Sequence, residues 1–311
     1  MLLLSLLELY VDNTAPSFGG VRRLSPSDAD IIIVGIPFDY TASFRSGSRF
    51  APNAIRELAS HLEFFSLRTM IDVERVRIAD IGNLVVYTSV DKLVYVVRNS
   101  VAELLDYNKP IIVLGGEHTI TLPIVQAVVA KMGKPCVLVF DAHFDLRDEF
   151  MGLRTCHATV MRRVAEIVSY ANIMFLGVRA VSQEEIDYVN MKRIDYIQSS
   201  EFRFLGMVEV LNRVERWLKS ASCQSLYISI DMDVYDPAYA PGVANPEPEG
   251  VEPWMLLDLL VRIITNSAKK PIIVDIVEYT PPYDISGCTG LLAAKTVLEA
   301  IAALYKRYRS K

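Results

Sequence analysis

Seven short aliphatic runs set the strongest limit on the fold: 30–36 DIIIVGI, 111–114 IIVL, 137–140 VLVF, 173–178 IMFLGV, 194–197 IDYI, 226–230 LYISI and 272–277 IIVDIV. Most are continuous and rich in β-branched residues, the pattern of strands buried on both faces. Longer amphipathic stretches separate them, at 52–66, 91–106, 121–132, 157–170, 182–192, 207–220, 253–268 and 289–308. Buried strands alternating with helices close into a parallel sheet covered on both sides. No repeat, low-complexity tract or long linker interrupts the pattern, and proline and glycine gather at 241–250 and 281–290. The expectation is an α/β chain of three αβα layers around a mainly parallel central sheet, one domain over residues 1–311.

Composition excludes several function classes. A net charge of -5 and the lack of any basic run with interleaved aromatics speak against nucleic-acid binding. The opening MLLLSLLELY has no basic start, meets Glu8 and Asp12 early and lacks a small-residue cleavage site, so it does not read as a secretion signal. It is expected to pack on the body of the protein or on a neighbouring subunit. No later segment reads as apolar for long enough to span a bilayer, so no membrane partner is expected. The four cysteines, Cys136, Cys156, Cys223 and Cys288, show no CxxC spacing, which suits a reducing compartment. A cytoplasmic location follows as the expectation.

In open parallel sheets ligands bind beyond the carboxyl ends of the strands. Chemically versatile residues stand just there. IIVLGGEH ends at His118, VLVFDAHFD carries Asp141, His143 and Asp145, and LYISIDMD carries Asp231 and Asp233. Residues at i, i+2 and i+4 share a face while a chain is extended, so each group can converge. A lone DxD or a lone histidine after a strand is more often a turn, a cap or a satisfied core residue. Three such motifs, each at a strand end, are poorly explained by chance. Six side chains with two imidazoles exceed the three or four protein ligands of one zinc site and suit two adjacent ions. The carboxylate-rich set favours Mn²⁺, with Zn²⁺ or Fe²⁺ as alternatives. Two ions sharing a water would lower its pKa and generate a nucleophile near neutral pH.

With those residues in view, the chain resembles the ureohydrolases, the arginase and agmatinase family. GGEH (115–118), DAHFD (141–145) and SIDMDVYDPAYAPG (229–242) are similar to the family's three signature blocks. VGIPFDYTASFRSGSRFAPNAIRE (34–57) resembles the agmatinase-type N-terminal block, and CHATVMRR (156–163), FLGVR (175–179) and DIVEYTPPYD (275–284) match later blocks in order. The resemblance implies an arginase-like fold and two Mn²⁺ ions per subunit. His118, Asp141, His143, Asp145, Asp231 and Asp233 would hold them. It further implies attack of the shared hydroxide on a guanidinium carbon, with loss of an amine and release of urea. Asp145 would carry the proton to the departing nitrogen, His157 would act as acid, base or shuttle, and Glu278 would pair with the guanidinium. A homo-trimer or homo-hexamer and a small cationic guanidino substrate, agmatine first, complete what the resemblance implies.

Elementary chemistry runs parallel to this. A guanidinium stays charged at any workable pH and its carbon is a poor electrophile, so the nucleophile needs activation. A carboxylate such as Glu278 can grip the guanidinium with paired hydrogen bonds and align its plane. The bland alternatives are a loop-capping acid for Glu278 or Asp275 and an ordinary helix-opening histidine for His157. Glu117, adjacent to a candidate ligand, reads as a brace for its loop, and Asp236-Pro237 as a turn.

Departures from the family pattern concern the substrate. Arginases carry asparagine two residues after the DAHxD block, where this chain has Arg147. An Arg147 facing the pocket repels an ammonium tail and favours a guanidino acid such as 4-guanidinobutyrate. Asp148 and Glu149, next in the chain, are candidates to neutralise it or to meet the ammonium themselves. Asn245 stands where a threonine is common, and Ala158 where glycine is common.

Overall fold

The computed structural model describes residues 6–85, 88–268 and 272–309. The first five residues, for which packing on the body or a neighbour is expected, lie outside them, as does the end of the basic tail. Among the described residues eleven strands form, in chain order β1 Val11–Asp12, β2 Ile31–Ile36, β3 Phe65–Ser66, β4 Ile71–Asp72, β5 Ile78–Leu84, β6 Ile111–Gly115, β7 Cys136–Phe140, β8 Ile173–Val178, β9 Asp195–Gln198, β10 Leu226–Asp231 and β11 Ile272–Val277. The helices are α1 Leu6–Tyr10, α2 Ala51–Ala59, α3 Val90–Leu105, α4 Thr121–Met132, α5 Val160–Val168, α6 Gln183–Lys192, α7 Ser199–Ser220, α8 Pro253–Asn266 and α9 Cys288–Arg309.

Nine strands make one sheet in the order β1-β5-β2-β6-β11-β10-β7-β8-β9, parallel except for the β1–β5 pair. The central strands β6, β11, β10 and β7 are buried along their whole length, as continuous aliphatic runs require. Two aliphatic clusters cover its two faces, one with Ile228, Leu138 and α8 and α9, the other with Val113, Val139 and α3, α4 and α5. The expected three-layer αβα architecture is the one observed.

Local differences from the sequence reading have identifiable causes. β5 was not expected, because Asp80, Gly82 and Asn83 make it look like a loop; all three are spent on Arg56, which is fully buried. The helix expected over 52–66 ends at Ala59, and Phe65–Ser66 pairs instead with Ile71–Asp72. The helix expected from 207 begins at Ser199 and is broken at Gly206, whose φ of 70° leaves the helical region. α9 is in fact long and apolar enough to cross a membrane by composition, contrary to the sequence reading, but its apolar sides are packed inside the fold. Cys136 and Cys223 also depart from expectation. They form a disulfide with Cα atoms 5.4 Å apart, whereas Cys156 and Cys288 are free. Their separation of 87 residues hides the pairing in the sequence, while β7 and the turn before β10 bring them together.

Candidate active site

The loops leaving β6, β7 and β10 meet at the carboxyl edge of the sheet. GGEH is glycine-rich for a steric reason: a Cβ on Gly116 would overlap the carbonyl oxygen of Phe38, since the two segments run side by side past the strand ends. This close approach delivers His118 to the site, where its backbone N–H donates to Glu278 Oε1 at 2.7 Å.

His118 faces three carboxylates. Its Nδ1 lies 2.9 Å from Asp145 Oδ2, 3.2 Å from Asp141 Oδ2 and 3.7 Å from Asp231 Oδ2. Its Nε2 is 3.0 Å from Ser229 Oγ, and Ser229 in turn donates to Asp275 at 2.6 Å. That relay fixes the Nε2 proton and turns Nδ1 toward the carboxylates, as second-sphere partners orient metal-bound histidines. Asp275, read as a possible loop cap, thus supports His118 from below. His143 occupies the other end, with Nδ1 3.0 Å from Asp233 Oδ2 and 3.5 Å from Asp141 Oδ1.

Two overlapping triads result, His118–Asp141–Asp145 and Asp141–His143–Asp233, each with ligand atoms within 4.8 Å of one another. Asp141 belongs to both. Asp231 falls outside the two triads but borders the first through His118. The candidate ligands therefore converge, though not for the reason the alternation suggested. β7 ends at Phe140, the chain bends at Ala142 and His143, and Asp145 has a φ of 53°, so 141–145 does not continue the extended strand. Asp231 is the last residue of β10 and Asp233 sits in a single 3-10 turn, capped by Asp231 accepting from the Asp233 N–H at 2.9 Å.

The electrostatics of these residues test whether a metal fits. Asp141 Oδ2 is buried and makes no well-formed hydrogen bond among the described residues, although His118 Nδ1 lies 3.2 Å away. Burial, reinforced by the charge of Asp141, pushes Asp145 up to about 7. Burial also drives Asp231 well above the carboxylate range, helped by Asp233 and Asp141. Burial opposes a charged His118 or His143, yet the carboxylates beside them hold both well above the ordinary histidine value. Protons on imidazoles and acids thus balance a surplus of buried negative charge. Divalent cations supply that positive charge without protons, so the donor set fits them.

These groups open into a cavity of about 290 Å³ whose lining includes His143, Asp145, Asp231, Asp233 and Glu278 at one end. Glu278 is buried at a φ of 63°, a strained conformation for glutamate, and burial plus the charge of Glu117 raise its pKa well above the usual range. His157 also lines the cavity, with Nε2 3.1 Å from Ser43 Oγ and Nδ1 3.4 Å from Thr41 Oγ1. Burial pushes it down to about 4, with the neighbouring His118 and His143 adding to the effect. Glu117 is a brace, as expected: its carboxylate accepts from the Thr41 N–H at 2.7 Å and from the hydroxyls of Thr41 and Thr119.

Of the specificity candidates, Arg147, Asn245 and Ala158 line the cavity. Arg147 lies 5.4 Å above the Phe150 ring and has no ion-pair partner among the described residues. Asp148 does not neutralise it, because Asp148 turns outward to Arg163 at 2.7 Å. Glu149 is exposed and lies outside the cavity lining. Two other acids, Glu185 and Glu247, do line it and were missed in the sequence. Glu185 looks there like an ordinary acid of a helix first turn, while Glu247 lies in a proline-rich loop with no periodicity to place it.

Comparison with known proteins agrees with this geometry. Residues 29–303 match the model of the arginase family. An agmatinase of Bacillus anthracis is 32% identical over 90% of this chain and 93% of its own. A guanidinobutyrase of Pseudomonas aeruginosa is 29% identical, covering 94% of this chain and 95% of its own. The crystal structure of the agmatine ureohydrolase of Thermoplasma volcanium superposes with a TM-score of 0.83 at 33% identity, over 92% of this chain and 94% of that one. The chain belongs to the arginase family and is a metal-dependent amidinohydrolase.

Proposed function

We propose that the protein hydrolyses the terminal guanidino group of a small cationic substrate, agmatine first, to urea and an amine, putrescine in that case. The observation that carries the reading is the pair of triads sharing Asp141 and opening, with Glu278, into one cavity. Two divalent ions held by His118, Asp141, His143, Asp145, Asp231 and Asp233 would supply Lewis acidity and an acidified water.

The chain's own residues do the rest. Glu278 spends Oε1 on the His118 N–H, which fixes the carboxylate and leaves Oε2 for the guanidinium. That grip presents the planar carbon to the water, and a bound cation lowers the cost of the buried charge on Glu278. The new bond joins carbon to the water oxygen, the C–N bond to the amine breaks, and a proton must travel to the leaving nitrogen. Asp145 would move it; its side chain is the most open of the four acids, 12% exposed against 0%, 3% and 4% for Asp141, Asp231 and Asp233. His157, neutral near pH 7 and held by Thr41 and Ser43, would relay a proton at the cavity wall, taking it up only transiently because burial resists its charge.

Agmatinase relatives support agmatine. A guanidino acid is the second reading, favoured by the unpaired Arg147 in the cavity. Manganese as the metal and a homo-trimeric or homo-hexameric assembly belong to the same reading and rest on the family resemblance, while a cytoplasmic location and a single ureohydrolase domain rest on the sequence pattern. Urea release from agmatine, 4-guanidinobutyrate and arginine, measured side by side on Mn²⁺-loaded protein, is the test. Agmatine is expected to show the highest kcat/KM. A win for guanidinobutyrate overturns the choice of substrate, and no urea from any of the three overturns the reaction.

A further inference from the structure

Beyond the metal cluster and Glu278, the cavity wall holds two carboxylates, and one of them is already spent. Glu185 accepts from the Leu146 N–H at 3.1 Å, the Ser182 N–H at 3.0 Å and the Ser182 hydroxyl at 2.7 Å. Glu247 is different. Only its backbone carbonyl is engaged, and its half-buried carboxylate makes no hydrogen bond or ion pair among the described residues. An uncommitted carboxylate on the wall of a substrate cavity is a ready partner for a cation.

The loop carrying it is built to hold that carboxylate at a fixed place. Its start is tied beside Glu278: Val243 bridges Tyr279, and the Thr280 N–H donates to the Gly242 carbonyl at 2.8 Å. Its end is tied beyond Asp233, where Val251 bridges Tyr235. Between the ties stands Arg179, whose donors are spent on carbonyl oxygens. It reaches Asp233 at 2.6 Å and Val234 at 3.3 Å on the metal side, and Glu247 and Pro248 at 2.8 Å each on the loop side. One guanidinium thus locks the Glu247 backbone to the backbone of a candidate metal ligand. Arg179 feels the Glu247 charge but has no donor left for its carboxylate.

We propose that Glu247 receives the distal ammonium of the substrate, with Arg179 as the positioning residue that sets its distance from the reacting carbon. This rests on the guanidino hydrolysis proposed above and names the residue that selects an amine tail over a neutral or acidic one. Arg147, held over Phe150 on the loop after β7, then disfavours a tail that strays toward the opposite loop.

The test compares Glu247→Gln with the wild type on agmatine, 1-guanidinobutane and 4-guanidinobutyrate, which share the reacting group and differ in tail charge. The ratio of kcat/KM for agmatine to that for 1-guanidinobutane should fall about tenfold, through KM rather than kcat, the scale of one lost charge-assisted hydrogen bond. Glu247→Asp, which keeps the charge, should recover part of it. An unchanged ratio in Glu247→Gln overturns the proposal, as does an equal loss on all three substrates, which marks a structural role. Wild-type protein that releases no urea from any of them refutes the underlying reaction, a result distinct from an unchanged ratio in an active variant.

Discussion

The Arg56–Asp80 pair and Asp141 at the heart of the candidate site are fully withdrawn from water, yet they are satisfied in opposite ways. Asp80 accepts from Arg56 Nε and an Arg56 terminal nitrogen, each at 2.8 Å, and from the Phe18 and Gly82 N–H groups at 2.8 and 3.1 Å. Arg56 finishes its own inventory on Asn83 and the Gly82 carbonyl. The cluster has histidines in place of arginine, an excess of carboxylates, an Asp141 oxygen without a well-formed hydrogen bond, and acids displaced in opposite directions: against the effect of burial the two histidines hold Asp141 down, while burial drives Asp145 and Asp231 up. A buried charge that is fully paired belongs to the scaffold. One that is left over marks the place where a ligand belongs.

Removing one acid from each cluster should separate the two roles. Asp231→Ala is expected to lower urea release by on the order of a thousandfold and to reduce bound metal with it. Metal-free, the same variant should unfold no more easily than wild type, because it relieves repulsion among buried acids. Metal analysis together with urea unfolding of the metal-free protein checks both halves, and two ions retained in an active variant would remove Asp231 from the ligand set. Asp80→Ala should behave in reverse, losing about 3–5 kcal/mol of stability by stranding Arg56.

Glu278→Gln sits between these extremes. It keeps a side chain able to accept the His118 N–H but loses the charge that faces the guanidinium. Its kcat/KM should drop about 100-fold with metal content retained; wild-type kinetics in that variant would take Glu278 out of the mechanism. An effect on stability alone is expected at the amino-terminal end of β7. Opening the Cys136–Cys223 bridge as Cys223→Ser frees an 87-residue loop and should cost about 2–4 kcal/mol, read from thermal unfolding with and without reductant.

The same contrast explains how much could be read from sequence. The central strands and the candidate ligands were legible because burial imposes continuous aliphatic runs and each ligand follows one of them directly. β5 was not, since Asp80 and Asn83 look like turn residues until Arg56 is seen against them. Extended geometry predicts that Asp141, His143 and Asp145 converge; they do lie close together, but along a segment that bends at Ala142 and His143 and has a positive φ at Asp145. Arg179, Glu185 and Glu247 escaped because their roles depend on carbonyls and cavities built by distant segments. Local pattern records what an element buries; it does not record which loop will face it.

The mildest way to probe the comparison is pH, through His157, a buried titratable group beside the cluster but outside the proposed ligand set. Its pKa is lowered to about 4, mainly by burial, from an ordinary value near 6.5. Between those values the unfolded chain binds a proton that the folded protein resists. The contribution is therefore fully present above pH 6.5 and is lost as pH falls toward 4. From pH 7 to pH 5 this one group should remove about 2 kcal/mol of stability. His157→Asn keeps hydrogen-bonding capacity toward Thr41 and Ser43 without titrating, so its loss over the same interval should be smaller by that amount. Urea midpoints of both proteins at the two pH values, under identical metal conditions, measure the difference. Equal losses would mean that Thr41 and Ser43 accommodate a charged imidazole there, and that His157 is free to act as an acid as well as a base.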